Sequence, residues 1–171
     1  MSTAGELLAH PFEPIYDANS RLLILGSFPS VKSRELAFYY SHPRNRFWRL
    51  ISDLCGYELP VDADIAAKRQ LLFSAGIALW DVCGKCEVAA SSDASIKKVV
   101  VNDLSQIFNT ARIEAVFTNG RTAYELYMKH LLPVWGLEAV YLPSTSPANA
   151  AMSYDQLKSI WQSELGSLLR R

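Results

Sequence analysis

The sequence has 171 residues, of which 50% are hydrophobic and 20% are charged, so one domain with a sizeable core is expected. Its 17 basic and 17 acidic side chains cancel, which argues against a protein that coats polyanions indiscriminately. No apolar run approaches the roughly 20 residues of a membrane span, and the first residues show no secretory-signal pattern. We therefore expect a single domain over residues 1–171 that lies in the cytoplasm and does not bind membranes.

Four apolar runs predict buried strands, because they are continuous rather than alternating, as in a parallel sheet covered on both faces. They cover residues 21–27, 76–82, 114–119 and 137–144. Helical patterns lie between and after these runs, and such alternation is typical of right-handed βαβ units. The predicted fold is a three-layer α/β/α domain with a short, mainly parallel four-stranded sheet.

Glycine and capping residues mark the predicted helix ends. The first long helical pattern puts its apolar side chains on one stripe and stops at Gly56, a residue common after helix C-termini. Two later helices open with the capping-box signatures Thr122-x-x-Glu125 and Ser153-x-x-Gln156. The helical patterns before them cover residues 45–56, 62–76 and 102–111.

Three cysteines, an odd number, argue against structural disulfides in a sequence without a secretory signal. Cys83 and Cys86 form a C-x-x-C motif, which allows a redox or a metal interpretation. The residues after it predict a loop, whereas a thioredoxin-like pair opens a helix. A structural zinc needs four ligands, and the sequence has no second C-x-x-C or paired His. We therefore predict neither a metal nor a cofactor.

Ligands of parallel α/β sheets bind outside the carboxyl ends of the strands. Four segments rich in small and polar residues follow the predicted strands: "GSFPS", "DVCGKC", "TNGRTA" and "PSTSPANA". None matches a Walker loop, a dinucleotide-binding loop or a hydrolase nucleophile elbow. Gly26 allows a tight turn that would fix Phe28 either in the core or as a platform under a flat ligand. The last segment is either a rigid turn or a stiff loop that approaches a phosphate backbone.

The stretch between residues 32 and 49 is locally basic. Cations beside aromatic side chains are typical of nucleic-acid sites, where charges pair with phosphates and rings stack on bases. The alternative is a solvated helix face next to core aromatics. The cations are Lys32, Arg34, Arg44, Arg46 and Arg49, against Glu35 alone.

These loops resemble those of the uracil-DNA glycosylase superfamily and, within it, the hypoxanthine-DNA (deoxyinosine) glycosylases. The resemblance spans about residues 20 to 165. It implies a three-layer fold with a short parallel sheet and a monofunctional glycosylase. Such an enzyme would act as a monomer on double-stranded DNA containing a deaminated base, mainly hypoxanthine, and leave an abasic site for base excision repair. The matching segments are "GSFPSxxS" from Gly26, "YYxHPRNRFW" from Tyr39, "SSDASI" from Ser91, "TNG" from Thr118 and "LPSTSPANA" from Leu142.

The resemblance implies that Asn45 is the catalytic residue. An amide is not a strong base, so its expected role is to orient water. Asn45 also directly precedes a helical stripe, and Asn is among the best N-caps, so both roles stay open. The first loop offers Ser27 but no acid, and Ser144 stands where other superfamily members carry a His. Neither a metal nor the four-cysteine iron–sulfur pattern of some relatives is implied.

The remaining site residues are also carried over from the resemblance. Phe28 would stack on the flipped base, and Asp81 would either accept a hydrogen bond from a purine N–H or cap its turn. Ala148 would be the minor-groove wedge, a weak one that Met152 could assist. Arg121, beside the predicted Thr122 cap, would bind a phosphate. The base-binding set is Gly26, Ser27, Phe28, Tyr40, Asp81 and Ser144; the DNA-binding set is Ser30, Lys32, Ser33, Arg44, Arg46, Arg121, Ser146, Pro147, Ala148 and Asn149.

The sequence leaves three alternative functions open. The "PRNRFW" element also resembles mismatch-specific uracil/thymine glycosylases, so uracil or thymine opposite guanine could be the substrate. The missing acid in the first loop allows a DNA-binding protein without turnover. The C-x-x-C motif allows a redox or small-molecule α/β protein.

Overall fold

The computed structural model describes residues 6–88 and 96–169, and within these ranges it has two sheets and seven helices. None of the helices in the described ranges is long and apolar enough to span a membrane. The strands are β1 (Leu7–Ala9), β2 (Leu22–Gly26), β3 (Ile77–Asp81), β4 (Cys83–Val88), β5 (Ile96–Val101), β6 (Ala115–Asn119) and β7 (Ala139–Leu142). The helices are α1 (Val31–Leu36), α2 (Phe47–Cys55), α3 (Ile65–Ala75), α4 (Ser105–Thr110), α5 (Arg121–His130), α6 (Leu132–Trp135) and α7 (Tyr154–Leu165).

The larger sheet confirms the predicted fold class. Its strand order is β3-β2-β6-β7, and all three strand pairs are parallel. Each of its strands lies inside one of the four predicted apolar runs. Every residue of β2 and β3 is buried, which requires cover on both faces of the sheet. The segments after these strands therefore meet at one edge, as the sequence predicts, although the segment after β3 is strand β4 rather than a loop.

The smaller sheet is antiparallel, with the order β1-β4-β5, and the sequence analysis missed it. The prediction of a loop at the C-x-x-C motif was wrong, because Cys83 and Cys86 lie in β4. Register shifts around Lys85 break the two-residue alternation that marks a strand. Both cysteines are fully buried against Phe28, as small apolar residues are. Ser91 to Ser95 of the "SSDASI" segment lie outside the described residues.

The helix ends match the predictions except at the starts of α2 and α5. Helix α2 ends at Gly56 in the left-handed conformation, and the capping box of α7 is present with Ser153 and Gln156. The predicted Thr122 cap was wrong, since α5 begins at Arg121 without a side-chain cap. Gly120 precedes it with φ 100, and a Cβ there would lie 3.3 Å from the Ser144 Cβ. This close approach requires glycine where a capping side chain would stand.

Candidate active site

A cleft of about 830 Å³ opens at the carboxyl ends of the parallel strands. It brings together most of the residues predicted for base and DNA binding, although they come from five separate segments. The predicted residues that line it are Gly26, Ser27, Phe28, Ser30, Ser33, Tyr40, Asn45, Asp81, Arg121, Ser144, Ser146, Ala148 and Asn149. Those that do not line it are Lys32, Arg44, Arg46 and Pro147.

The floor of the cleft is formed where β2 and β3 end side by side. Gly26 is the register partner of Asp81, so the carboxylate lies against the Gly26 backbone. A Cβ at Gly26 would be 2.3 Å from the Asp81 Oδ1 and 2.9 Å from the Tyr40 hydroxyl oxygen. Only glycine leaves room for both groups here. Asp81 Oδ1 is therefore placed between the backbone of the first loop and the Tyr40 side chain.

His10 holds the other oxygen of the Asp81 carboxylate, and the sequence analysis did not identify it. Its Nε2 lies 2.7 Å from Asp81 Oδ2, and the two side chains are only 4% and 5% exposed. Its Nδ1 lies 2.9 Å from the Phe12 carbonyl oxygen. A hydrogen bond donated by Nε2 to the carboxylate oxygen fits this distance. Seventy-one positions separate the two residues, and no motif links them.

Asn45 lies directly before Arg46, the N-cap residue of α2, and also lines the cleft. Its Oδ1 accepts a hydrogen bond from the Phe47 backbone N–H at 3.0 Å, which fixes the orientation of the amide. Phe47 in turn stacks on Tyr40, with ring centroids 4.2 Å apart. No described residue accepts a hydrogen bond from the Asn45 Nδ2. The predicted N-cap is thus displaced by one residue, since Arg46 holds that position, although Asn45 Oδ1 still accepts from the first N–H of α2.

Phe28 and Tyr39 form an aromatic wall beside the floor. Phe28 packs against the buried cysteines of β4, as one of its two predicted placements has it, and it also lines the cleft. Its stacking on a base stays a prediction. The Tyr39 hydroxyl donates to the Glu13 carbonyl oxygen at 2.7 Å. Burial, followed by the negative charge of Asp81, raises the pKa of Tyr39 far above its ordinary value. Tyr39 therefore stays a neutral phenol and serves the core.

The loop after β7 is held rigidly by side chains. Asn119 donates to the Thr145 hydroxyl and accepts from the Thr145 N–H, both at 3.0 Å. The Arg46 guanidinium donates to the carbonyl oxygens of Met152 at 2.6 Å and Asn149 at 3.1 Å. In this structure Arg46 thus joins two loops, and any contact with DNA stays a prediction. Asn119 positions the loop rather than pointing a free amide into the cleft.

The five cations of the basic stretch do not converge on one surface. Lys32 lies 3.7 Å from Glu35, and the Arg49 guanidinium lies 3.8 Å from the Tyr154 ring centroid. Arg34 is the member of this group that lines the cleft. Across the cleft, Arg121 lies 3.8 Å from Glu125 in an exposed pair.

The serines of the first loop have local structural partners. The Ser30 hydroxyl accepts from the Ser33 N–H at 3.2 Å and thereby caps α1. Ser33 is buried, and its hydroxyl accepts from the Ser41 N–H at 3.2 Å. The "GSFPS" segment is therefore a preformed turn that leads into a short helix. Contacts of these serines with DNA stay predictions.

Comparison with known proteins agrees with this architecture. The Uracil DNA glycosylase superfamily profile matches residues 13–164. A "Hypoxanthine DNA glycosylase" of Methanosarcina acetivorans is 34% identical over 157 residues, which cover 91% of this chain and 97% of that protein. The protein of the same name from Methanosarcina barkeri is 33% identical, with 88% and 93% covered. A solution NMR structure of a candidate uracil DNA glycosylase from Methanosarcina acetivorans superposes with a TM-score of 0.80 at 34% identity, covering 95% of this chain and 99% of that one. The chain belongs to the Uracil DNA glycosylase superfamily.

Proposed function

We propose that this protein is a monofunctional DNA glycosylase that removes hypoxanthine from double-stranded DNA and leaves an abasic site. The observation that carries the proposal is the Asp81 carboxylate, held by His10 and placed against Gly26 at the floor of the cleft. Deamination of adenine converts N1 from an acceptor into an N–H donor and replaces the 6-amino group by O6. A fixed carboxylate accepts from that N–H and repels the lone pair of adenine N1. The names of the two Methanosarcina relatives support the same substrate.

The base must leave the duplex to reach this floor. Extrusion costs a few kcal/mol, and less at a mismatch, so the cleft must recover it by stacking and edge hydrogen bonds. Phe28 offers the ring for stacking, and Asp81 Oδ1 the acceptor. The rigid loop at residues 144–149 lies on the opposite side of the cleft, where Ala148 is exposed. We assign this loop to the minor groove of the DNA.

Hydrolysis needs a water molecule placed on the face of the sugar opposite the base. Water attacks C1′, the C–N bond breaks with its electron pair going to the base, and the water proton ends on the departing base. Asn45 Oδ1 keeps one lone pair after accepting from Phe47, and Nδ2 supplies two N–H groups. Such a fixed amide orients water without serving as a strong base.

Uracil is the second candidate substrate, because its N3–H between two carbonyls would also donate to Asp81. The carboxylate alone does not separate the two bases. We also propose that the protein acts as a monomer in the cytoplasm. Among the described residues Cys55, Cys83 and Cys86 form no disulfide, as is usual in a reducing compartment.

The direct test is base release from matched duplexes carrying hypoxanthine, uracil, xanthine or a thymine–guanine mismatch, with a chelator present. We expect hypoxanthine to be released fastest, with no adduct trapped by borohydride, because none of the described residues lining the cleft is a lysine. Faster release of uracil would favour the second substrate. Duplex binding without release of any base would favour a protein that has lost its chemistry.

The Gly26→Ala variant tests the geometry of the floor. The new methyl would stand 2.3 Å from Asp81 Oδ1, so the carboxylate must move, and we expect base release to fall by about a hundredfold. Gly56→Ala is a suitable control, since it sits at positive φ with no atom within 4 Å of the new Cβ. We expect the control to lower the Tm and leave base release unchanged. Normal release by Gly26→Ala would show that Asp81 is not required at its present position.

A further inference from the structure

Arg34 is a half-buried cation, and the described residues leave part of its hydrogen-bonding capacity unused. Its Nε is buried and has no hydrogen-bond partner among them, and none of their carboxylates forms an ion pair with it. Its neighbour Lys32, by contrast, faces Glu35. A buried N–H without a partner is unfavourable, so a ligand that supplies the acceptor would be stabilised there.

The guanidinium lies over the proposed base platform. Its central carbon is 5.7 Å from the centroid of the Phe28 ring, and the side chain lines the same cleft as Asp81. A base that stacks on Phe28 would therefore move the guanidinium aside to the edge of the base, within reach of the Arg34 N–H groups. Guanidinium only donates, and its planar fork suits two neighbouring acceptors on one flat ligand.

We propose that Arg34 is a specificity-determining residue that binds the O6 and N7 atoms of the flipped hypoxanthine. This inference rests on the proposed function and names the edge of the base that is recognised. Hypoxanthine presents O6 and N7 as adjacent acceptors, as guanine does to arginine in the DNA major groove. Adenine presents a donor in place of O6, and uracil has no N7. With Asp81 accepting from N1–H, the two residues together would select a 6-oxopurine.

A phosphate next to the flipped nucleotide is the competing ligand for a guanidinium. The Arg34 Nε is shielded from solvent, and the guanidinium lies over the Phe28 ring that would stack on the base. Both features favour the base edge as the ligand over a phosphate of the exposed DNA backbone. Exposed cations such as Arg44 lie outside the cleft and suit phosphates better. Substrate analogues and the Arg34→Lys variant separate the two ligands.

The test compares Arg34→Met with the wild type on duplexes carrying hypoxanthine, 7-deazahypoxanthine or uracil. The 7-deaza base keeps O6 and N1–H but lacks N7, and its altered intrinsic reactivity affects both proteins equally. We expect Arg34→Met to lower single-turnover release of hypoxanthine by about 5- to 150-fold, the range of a bidentate pair. Uracil release should change less than about threefold, because uracil has no N7 and therefore lacks the bidentate contact with Arg34 even in the wild type. The preference for hypoxanthine over its 7-deaza analogue should shrink in the variant.

Arg69→Met is the matched control, since the Arg69 guanidinium lies 5.8 Å from the Phe73 ring centroid outside the cleft. It should match wild type on all three substrates. Arg34→Lys should keep phosphate binding but lose the 7-deaza preference. Equal losses on all substrates, with a salt dependence reduced by about one phosphate contact, would overturn the inference in favour of a phosphate. Unchanged kinetics would overturn it too, while a wild type that releases no hypoxanthine would first overturn the proposed function itself.

Discussion

Replacing Asn45 by alanine is expected to lower the single-turnover rate of hypoxanthine release by about a hundredfold or more, the usual effect of losing a group that positions or activates water. The amide lines the cleft, and its orientation is fixed by the 3.0 Å hydrogen bond to the Phe47 N–H. A methyl group can neither accept from nor donate to the attacking water. The loss should appear in the chemical step and leave duplex binding nearly unchanged.

The same substitution removes the side-chain acceptor of the first N–H of α2, so a loss of stability must be separated from a loss of chemistry. Losing a cap costs about 1 kcal/mol, or roughly 2–4 °C in Tm for a chain of this size. Asp64→Ala is the matched control, because Asp64 Oδ1 caps α3 through the Ala67 N–H at 2.8 Å, away from the cleft. We expect equal losses of Tm in both variants and a loss of base release in Asn45→Ala alone.

An aspartate at position 45 refines this experiment. Asn45→Asp keeps an oxygen that accepts from the Phe47 N–H, so its Tm should stay close to wild type. Its base release then reports on the loss of the two amide N–H groups together with the added carboxylate charge. If Asn45→Ala releases hypoxanthine normally but melts earlier, Asn45 is a cap only, and Ser27, Asp81 and Ser144 become the candidates for placing water.

The central sheet and the cleft were predictable because both follow from local patterns. Continuous apolar runs identify β2 and β3, and parallel topology then brings the residues after each strand to one edge. The meeting of Gly26 with Asp81 is a direct consequence, since the two strands end in register. The resemblance adds Asn45, which no periodic pattern distinguishes from an ordinary cap.

The contacts of long or distant side chains were not predictable. The sequence places Arg34 and Arg46 in one basic stretch, yet Arg34 lines the cleft and Arg46 donates to two backbone carbonyls of another loop. The sequence shows how many charged residues a stretch contains, whereas tertiary packing decides where each guanidinium lies. Strand β4 escaped prediction for a related reason, because its register shifts disrupt the alternation.

His10 is the site residue that the sequence most clearly failed to reveal. Its contact with Asp81 leads to the second large prediction. We expect His10→Ala to lower both stability and hypoxanthine release, because Asp81 would keep a carboxylate only 5% exposed without its donor. Leaving a buried carboxylate without its hydrogen-bond donor costs about 1–3 kcal/mol, which for this chain is on the order of 5 °C in Tm. Release should fall as well, since Asp81 Oδ1 faces the cleft only while Oδ2 is held by His10.

A double-mutant cycle distinguishes positioning from general destabilisation. The double variant His10→Ala, Asp81→Ala removes the unpaired charge and should therefore regain part of the Tm lost in His10→Ala. Its base release should stay as low as that of Asp81→Ala, since His10 acts through Asp81. His10→Gln keeps an N–H donor for Asp81 Oδ2 and should recover release in part. His130→Ala, at the end of α5 and away from the cleft, controls for the loss of an imidazole.

The outcome decides what the buried pair does. Additive losses of Tm and of release in the double variant would mean that the two residues act independently, and the positioning role of His10 would be wrong. Near-normal release in His10→Ala would mean that the main chain around Gly26 holds the carboxylate without help. Two results together would identify His10 as the residue that orients the base-reading carboxylate. Base release would recover in His10→Gln, and it would stay low in the double variant, where only the Tm is restored.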